Sequence, residues 1–197
     1  MSHIIEPCCN EKQLTALLSS IEGKSNVAHF YSFSDWTTSF LLPFFANRTP
    51  GGEVTLCLVQ IDTSTLETIR QLMNVKTVDK ETRESIYVIR HLSLITRGDN
   101  RAQVLASLQG FGDRLSICED SIGFRCITCA NEHRQFVVQG SINQQQMNMT
   151  QLYTVTTGQQ LYNEVQGLLN AKVKAKAISD WESAYTRITQ ENPFQPI

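Results

Sequence analysis

Residues 136–143 run Phe136-Val137-Val138-Gln139-Gly140-Ser141-Ile142-Asn143, and Leu152-Tyr153-Thr154-Val155 follows about eight residues later. The first run is apolar and β-branched and ends abruptly at Gly-Ser-x-Asn. This pattern predicts a strand, a tight turn that presents a hydroxyl and an amide, and a returning strand.

Strands and helices are predicted on both sides of the turn from the spacing of apolar residues. The predicted strands are 27–33, 54–61, 86–95, 115–118, 124–130, 135–138 and 152–155. The predicted helices are about 14–21, 34–45, 64–73, 98–112, 157–169 and 178–188. This order predicts an α/β fold with a mixed β-sheet sandwiched between helices. The chain of 197 residues suits one domain, 1–197, with 178–197 as a C-terminal helix and tail.

Some local predictions depend on single residues. Ser64-x-x-Glu67 has the spacing of a helix capping box, and Asp62 is expected to belong to the same cap. Pro43 is expected to kink or shorten its helix. Residues 74–85 are polar and are predicted to form a loop.

The charge and hydropathy of the chain exclude some classes of partner. The net charge is −2, whereas sequence-independent nucleic-acid binding requires a basic surface. Lys172, Lys174 and Lys176 form one basic cluster, which suits the solvated end of a helix as well as a phosphate contact. No apolar run is long enough to span a membrane, and the first residues lack the pattern of a signal peptide. We therefore expect a cytoplasmic protein with no membrane partner.

The six cysteines are expected to be reduced thiols in that compartment; they are residues 8, 9, 57, 118, 126 and 129. Cys126-x-x-Cys129-x-x-x-His133 has a spacing reminiscent of a zinc site. Residues three apart on a strand face opposite sides of the sheet, however, so this run does not suit a shared metal. We predict neither a metal nor a cofactor.

The layout and the Gly140-Ser141-x-Asn143 turn together resemble one half of the phospholipase D-like superfamily, best over about residues 113–170. Members carry His-x-Lys on a strand, an Asp about five residues later, Gly-Ser-x-Asn at the next turn and a Glu on the returning strand. The resemblance implies a histidine that attacks phosphorus, a second histidine that protonates the leaving oxygen, and lysines that bind phosphate. It also implies that a single-half member forms a homodimer, because the two halves complete one site.

This chain departs from that motif at its reactive positions. The family's spacing places Cys126 at the His, Thr128 at the Lys, His133 near the Asp and Gln151 at the Glu. Gly140, Ser141 and Asn143 are retained. No catalytic residue is assigned, and the set Cys126, Thr128, Ser141, Asn143, Gln151 and His133 is interpreted as a vestigial site. Without the resemblance, Gly140 would be explained by a turn that requires unusual backbone angles.

Three functions remain open. The first is a non-catalytic phospholipase D-like homodimer with a binding or assembly role, in which nucleic acid is a possible partner because small bacterial relatives act on DNA. The second is a phosphodiesterase or nuclease built around Cys126 and Ser141, which would need a lowered cysteine pKa and a nearby cation. The third is a protein-interaction module that docks through a C-terminal helix containing Trp181 and Tyr185. A decayed site should be filled by side chains, whereas an active one should be an open pocket with arginines such as Arg125 or Arg134.

Overall fold

The computed structural model describes residues 5–7, 10–21, 27–32, 37–119, 125–140 and 151–171. The strands are β1 (Ile5–Pro7), β2 (Val27–Ser32), β3 (Gly52–Leu58), β4 (Lys76–Val78), β5 (Ser85–Tyr87), β6 (Ile89–Thr96), β7 (Leu115–Glu119), β8 (Arg125–Ala130), β9 (Gln135–Gly140) and β10 (Gln151–Thr157). The helices are α1 (Glu11–Ile21), α2 (Leu42–Ala46), α3 (Thr63–Asn74), α4 (Arg101–Leu108) and α5 (159–171). A π-helical turn, Thr37–Leu41, leads into α2, and 3₁₀ turns occupy Gly98–Asn100 and Gly112–Arg114.

Eight strands form one mixed sheet in the order β1-β2-β10-β9-β8-β3-β6-β7. The pairs β1–β2, β3–β6 and β6–β7 are parallel, and the other neighbours are antiparallel. The separate β4–β5 pair is antiparallel. An α/β fold with a mixed sheet between helices confirms the predicted fold class.

The parallel connections explain why one face of the sheet carries most of the helices. Each connection moves across the sheet in the same direction, and crossovers are almost always right-handed, so their helices fall on one face. We call this the crossover face. Its core includes buried residues from α1 to α4, among them Leu14, Phe45, Ile69 and Val104.

The opposite face, which we call the single-helix face, is covered by α5. Leu169 of α5 packs with Cys57, Ile95, Cys126 and Val137 of the sheet, and Tyr162 and Val165 contact the same cluster. The two clusters are separate because successive side chains of β3 and β8 point to opposite faces of the sheet.

The cap of α3 differs from the predicted capping box. Asp62 is the N-cap, and its carboxylate accepts the backbone N–H of Thr65 at 2.7 Å. Ser64 lies inside the helix and donates its hydroxyl to Asp62, while Glu67 pairs with Arg70 at 3.8 Å. The prediction for Asp62 is confirmed, and the Ser64–Glu67 box is wrong because Asp62 already occupies the cap position.

Two further boundaries are corrected. The predicted loop 74–85 contains β4, which pairs with β5, and the predicted strand 86–95 is interrupted at Val88. The backbone N–H of Val88 donates to the carbonyl of Val75, which extends the β4–β5 pairing, and β6 of the main sheet begins at the next residue. The Arg114 guanidinium fixes the break, because it donates to the carbonyl of Ile89 at 2.7 Å and stacks 3.5 Å from the Tyr87 ring.

The other predicted strands within the described residues are confirmed, and Pro43 lies in the first turn of a helix of only five residues. The predicted C-terminal helix with Trp181 and Tyr185, the lysine cluster at 172–176, and Cys8 and Cys9 lie outside the described residues. None of the described helices is long and apolar enough to cross a bilayer.

Candidate functional site

The β8–β9 hairpin carries the strand that corresponds to the His-x-Lys strand of the resemblance. Arg125, the first residue of β8, is the register partner of Gly140 at the end of β9, and Cys126 comes next. The start of β8 and Gly140 are therefore adjacent in space. Ser141 and Asn143 lie outside the described residues.

Gly140 is explained by close packing. Its φ is not positive, and a Cβ at this position would lie 3.1 Å from the ring of Tyr153 and 3.6 Å from the Cβ of Arg125. The expectation that this residue supplies an unusual backbone angle is therefore wrong. A larger residue is disfavoured because the Tyr153 ring approaches the backbone too closely.

Cys126 lies in the apolar layer between the sheet and α5. Its side chain is 1% exposed and packs in one cluster with Cys57, Val137 and Leu169. Burial raises the pKa of the Cys126 thiol to about 12. The thiol is thus protonated at neutral pH, whereas a phosphoryl nucleophile needs the thiolate. Arg125 is expected on the other side of the strand, because neighbouring residues alternate.

Thr128, at the position of the family's lysine, belongs to a buried polar cluster beneath α5. Its hydroxyl donates to Oε1 of Gln166 at 3.0 Å, and Nε2 of Gln166 donates to Oγ1 of Thr55 at 3.1 Å. Tyr162 packs against the neighbouring apolar cluster; burial first, and then the charge of Glu53, raises the pKa of Tyr162. Neutral, mutually bonded side chains therefore occupy the place where a phosphate-binding cation would be required.

His133 is held away from these residues. It lies in the β8–β9 loop, where its backbone N–H donates to Oδ1 of Asn131 at 3.0 Å, and its Nε2 is 3.6 Å from Oε1 of Glu81. This loop is at the opposite end of β8 from Gly140, about 17 Å away along the strand. The structure does not bring His133 to the Gly140 end of the hairpin.

Gln151 also points away from Cys126. It is buried on β10, opposite Ser32 of β2, and shares a side of the strand with Tyr153 in the crossover-face core. Cys129 faces that core as well, so it and Cys126 do not converge on one metal. Within the described ranges, no three His, Cys, Asp or Glu side chains come together as a metal-binding group.

A second polar arrangement, on β6 and β7, was not predicted. Nδ1 of His91 lies 3.0 Å from the carbonyl oxygen of Asp113, and Nε2 lies 3.0 Å from Oγ of Ser116. A carbonyl can only accept, so Nδ1 carries the proton and Nε2 accepts from the serine hydroxyl when the ring is neutral. The sequence gives no sign of this pair, because its residues are 25 positions apart and meet only through strand register.

A cleft of about 390 Å³ lies near the ends of α3 and α4 and is lined by Arg70, Asn74, Ser107, Gln109 and Phe111, among others. Of the predicted site residues that the structure describes, which are Cys126, Thr128, His133 and Gln151, none lines it. These four residues and the cleft are therefore separate features.

Comparison with known proteins identifies no family. No family model and no curated protein matches the sequence. Among solved structures, the chain is similar to TrmBL2, an archaeal chromatin protein whose structure shows a novel mode of DNA binding. The identity is 12% and the TM-score 0.46, and the match covers 88% of this chain and 59% of that chain.

Proposed function

We propose that this chain is a non-catalytic phospholipase D-like domain that acts by assembling with a second copy of itself. In this proposal β8, the strand that corresponds to the His-x-Lys strand of phospholipase D-like enzymes, packs against α5. The partner surface is the outer side of α5.

The observation that carries the proposal is the burial of Cys126 and Thr128. Cys126 is covered by the cluster around Leu169, and the hydroxyl of Thr128 is bonded to Gln166. A phosphodiester cannot reach phosphoryl-transfer geometry at either position without removing α5. The raised pKa of Cys126 acts in the same direction, since a protonated thiol does not attack phosphorus.

The composition of α5 supports a protein partner. Glu164 is the one charged residue among its thirteen, and Leu161 and Leu168 are exposed on one side, seven residues apart. Interface cores are depleted in charge, whereas phosphate backbones require Lys or Arg. A second copy suits this surface, because two copies related by a two-fold axis bring together helices that each present exposed leucines and a single charge, Glu164.

The proposal that the chain is non-catalytic is tested with bis-p-nitrophenyl phosphate and plasmid DNA. We expect no hydrolysis above buffer from the purified chain. Hydrolysis that is lost in both Cys126→Ala and Ser141→Ala would overturn the proposal and establish a phosphodiesterase with a substituted nucleophile.

The proposed assembly of two copies through α5 is tested by size-exclusion chromatography with light scattering. We expect a dimer for the wild type and a monomer for Leu168→Glu, while Leu105→Glu, an equally apolar exposed position on α4, should remain dimeric. A monomeric wild type, or the same mass for all three proteins, would contradict assembly through α5.

Fluorescence anisotropy with labelled DNA at physiological salt tests the other partner class, which is nucleic acid. Tight binding by the monomeric variant would favour nucleic acid instead of a second copy.

A further inference from the structure

Cys57 and Cys126 lie directly opposite each other on neighbouring strands. They are register partners in the antiparallel β3–β8 pair, and both belong to the cluster on the single-helix face. Their side chains are 0% and 1% exposed, and both thiols are reduced.

The register singles out this pair among the described cysteines. Directly opposed residues of antiparallel strands have Cβ atoms about 4.5–5.5 Å apart and Cα atoms within the range that a disulfide spans. Cys129 faces the crossover core. Cys118 is aligned with Cys57 only across β6, and two strand spacings amount to about 9.6 Å.

The α5 helix controls access to both sulfur atoms. Leu169 packs in the same cluster, and burial raises the pKa of Cys126 far above that of an exposed thiol. Thiol–disulfide exchange requires a thiolate and a path for the attacking reagent. Both conditions improve when α5 separates from the sheet, which is a smaller opening than global unfolding.

We propose that Cys57 and Cys126 are a redox-active pair that closes to an intrachain disulfide across β3 and β8 when α5 is displaced. With glutathione disulfide as the oxidant, one cysteine thiolate attacks and releases a first glutathione thiolate. The second cysteine then attacks the mixed disulfide at the protein sulfur, which releases a second glutathione thiolate. The two protein thiols lose two protons and two electrons, and the oxidant is reduced to two glutathione molecules. Because the opposed Cβ atoms lie somewhat farther apart than in a relaxed disulfide, the bond is expected to be easily reduced.

The test is oxidation with glutathione disulfide, alkylation of the remaining thiols, and mass spectrometry of the intact and digested chain. We expect a loss of two alkylatable thiols and a peptide pair that joins Cys57 to Cys126, reversed by dithiothreitol. Cys57→Ser and Cys126→Ser should each abolish this product. Cys129→Ser is the matched control, because it removes a buried thiol on the other face of the same strand, and it should leave the product unchanged.

Leu169→Ala tests the role of α5. Truncation of this buried leucine should raise the rate of disulfide formation at least about tenfold, since it shifts the opening equilibrium of the helix. Circular dichroism confirms that the variant keeps its sheet. An unchanged rate of disulfide formation in Leu169→Ala would overturn the proposal that displacement of α5 exposes the pair. A wild type that keeps all six thiols, or that pairs other cysteines in preference, would overturn the pair itself.

Discussion

The two faces of the sheet are built differently. Among the residues that the structure describes, the crossover face buries a cluster of thirty under four helices, whereas the cluster on the single-helix face has five, under α5. Apolar burial is the main source of stability, so the crossover face should set the global free energy of unfolding and α5 should open first. Cys126 and Thr128 lie on the single-helix face. Substitutions at these two residues should therefore affect the packing of α5 before they affect the crossover core.

Truncation of an aromatic residue on the crossover face is expected to have the largest effect. Phe45 is fully buried, and its ring lies 5.0 Å from that of Phe136 and 5.1 Å from that of Phe44. Phe45→Ala should lower the free energy of unfolding by about 3–5 kcal/mol, measured by urea denaturation, because it leaves a cavity in the main core.

Leu169→Ala provides the comparison across the sheet. It should lower amide exchange protection in α5 by more than it lowers protection in β3, because the helix can separate while the crossover core stays intact. Equal losses of protection in the helix and the sheet would show that the two faces form one cooperative unit, and the contrast between them would disappear.

The polar cluster under α5 allows a sharper test of the single-helix face. Gln166→Ala removes the partner of Thr55 and Thr128, and these two hydroxyls would be left buried without it. We expect a loss of about 2 kcal/mol in urea denaturation, because an unsatisfied buried polar group bears its full desolvation cost.

The control for this cluster replaces all of its members together. Thr55→Val, Thr128→Val and Gln166→Leu in one protein should recover most of the lost stability, because no polar group remains unpaired. If the triple variant is as unstable as Gln166→Ala, then the stability comes from the shape of Gln166 and not from its hydrogen bonds.

The sequence predicts elements well and contacts between distant elements poorly. The apolar runs 124–130 and 135–138 correctly give β8 and β9, because a strand buried on both faces is continuous in sequence. The cap of α3 was predicted less well, since Asp62 and Ser64 are both good capping residues and only the backbone angles distinguish them.

In the candidate site, the strand positions could be predicted from the sequence, but the side-chain partners could not. The spacing correctly placed Cys126 and Thr128 on one strand, which begins opposite Gly140. The partner of Thr128 could not be predicted, because Gln166 is 38 residues away and on a helix whose face depends on packing. The distance of His133 from Gly140 likewise follows from the length of the hairpin and not from its composition.

Alkaline pH should destabilise the single-helix face through Cys126. An unperturbed thiol has a pKa of 9.0, and burial raises that of Cys126 to about 12. The folded state therefore holds its proton more tightly, so the stabilising contribution is complete below pH 9 and is lost as the pH rises toward 12. At pH 10 the wild type should lose about 1 kcal/mol more than Cys126→Ser, relative to pH 7, in urea denaturation. Parallel curves for the two proteins between pH 7 and pH 10 would show that this thiol ionises normally in the fold.

The smallest effect is expected at the Asp62 cap, on an exposed end of the crossover face. The backbone N–H of Thr65 lowers the pKa of Asp62 from 3.8, because its hydrogen bond favours the charged carboxylate. Asp62→Ala should therefore cost about 1 kcal/mol at pH 7 in urea denaturation, which is typical of a lost N-cap. Since the folded pKa is lowered, this contribution is present above pH 4 and is lost as the pH falls through the folded value. The advantage of the wild type over Asp62→Ala should thus shrink at low pH, where the wild type approaches Asp62→Asn; this variant retains a capping oxygen and should cost less than Asp62→Ala at neutral pH. A difference between wild type and Asp62→Ala that is as large at pH 2 as at pH 7 would show that packing of the side chain, and not its charge, stabilises this end of α3.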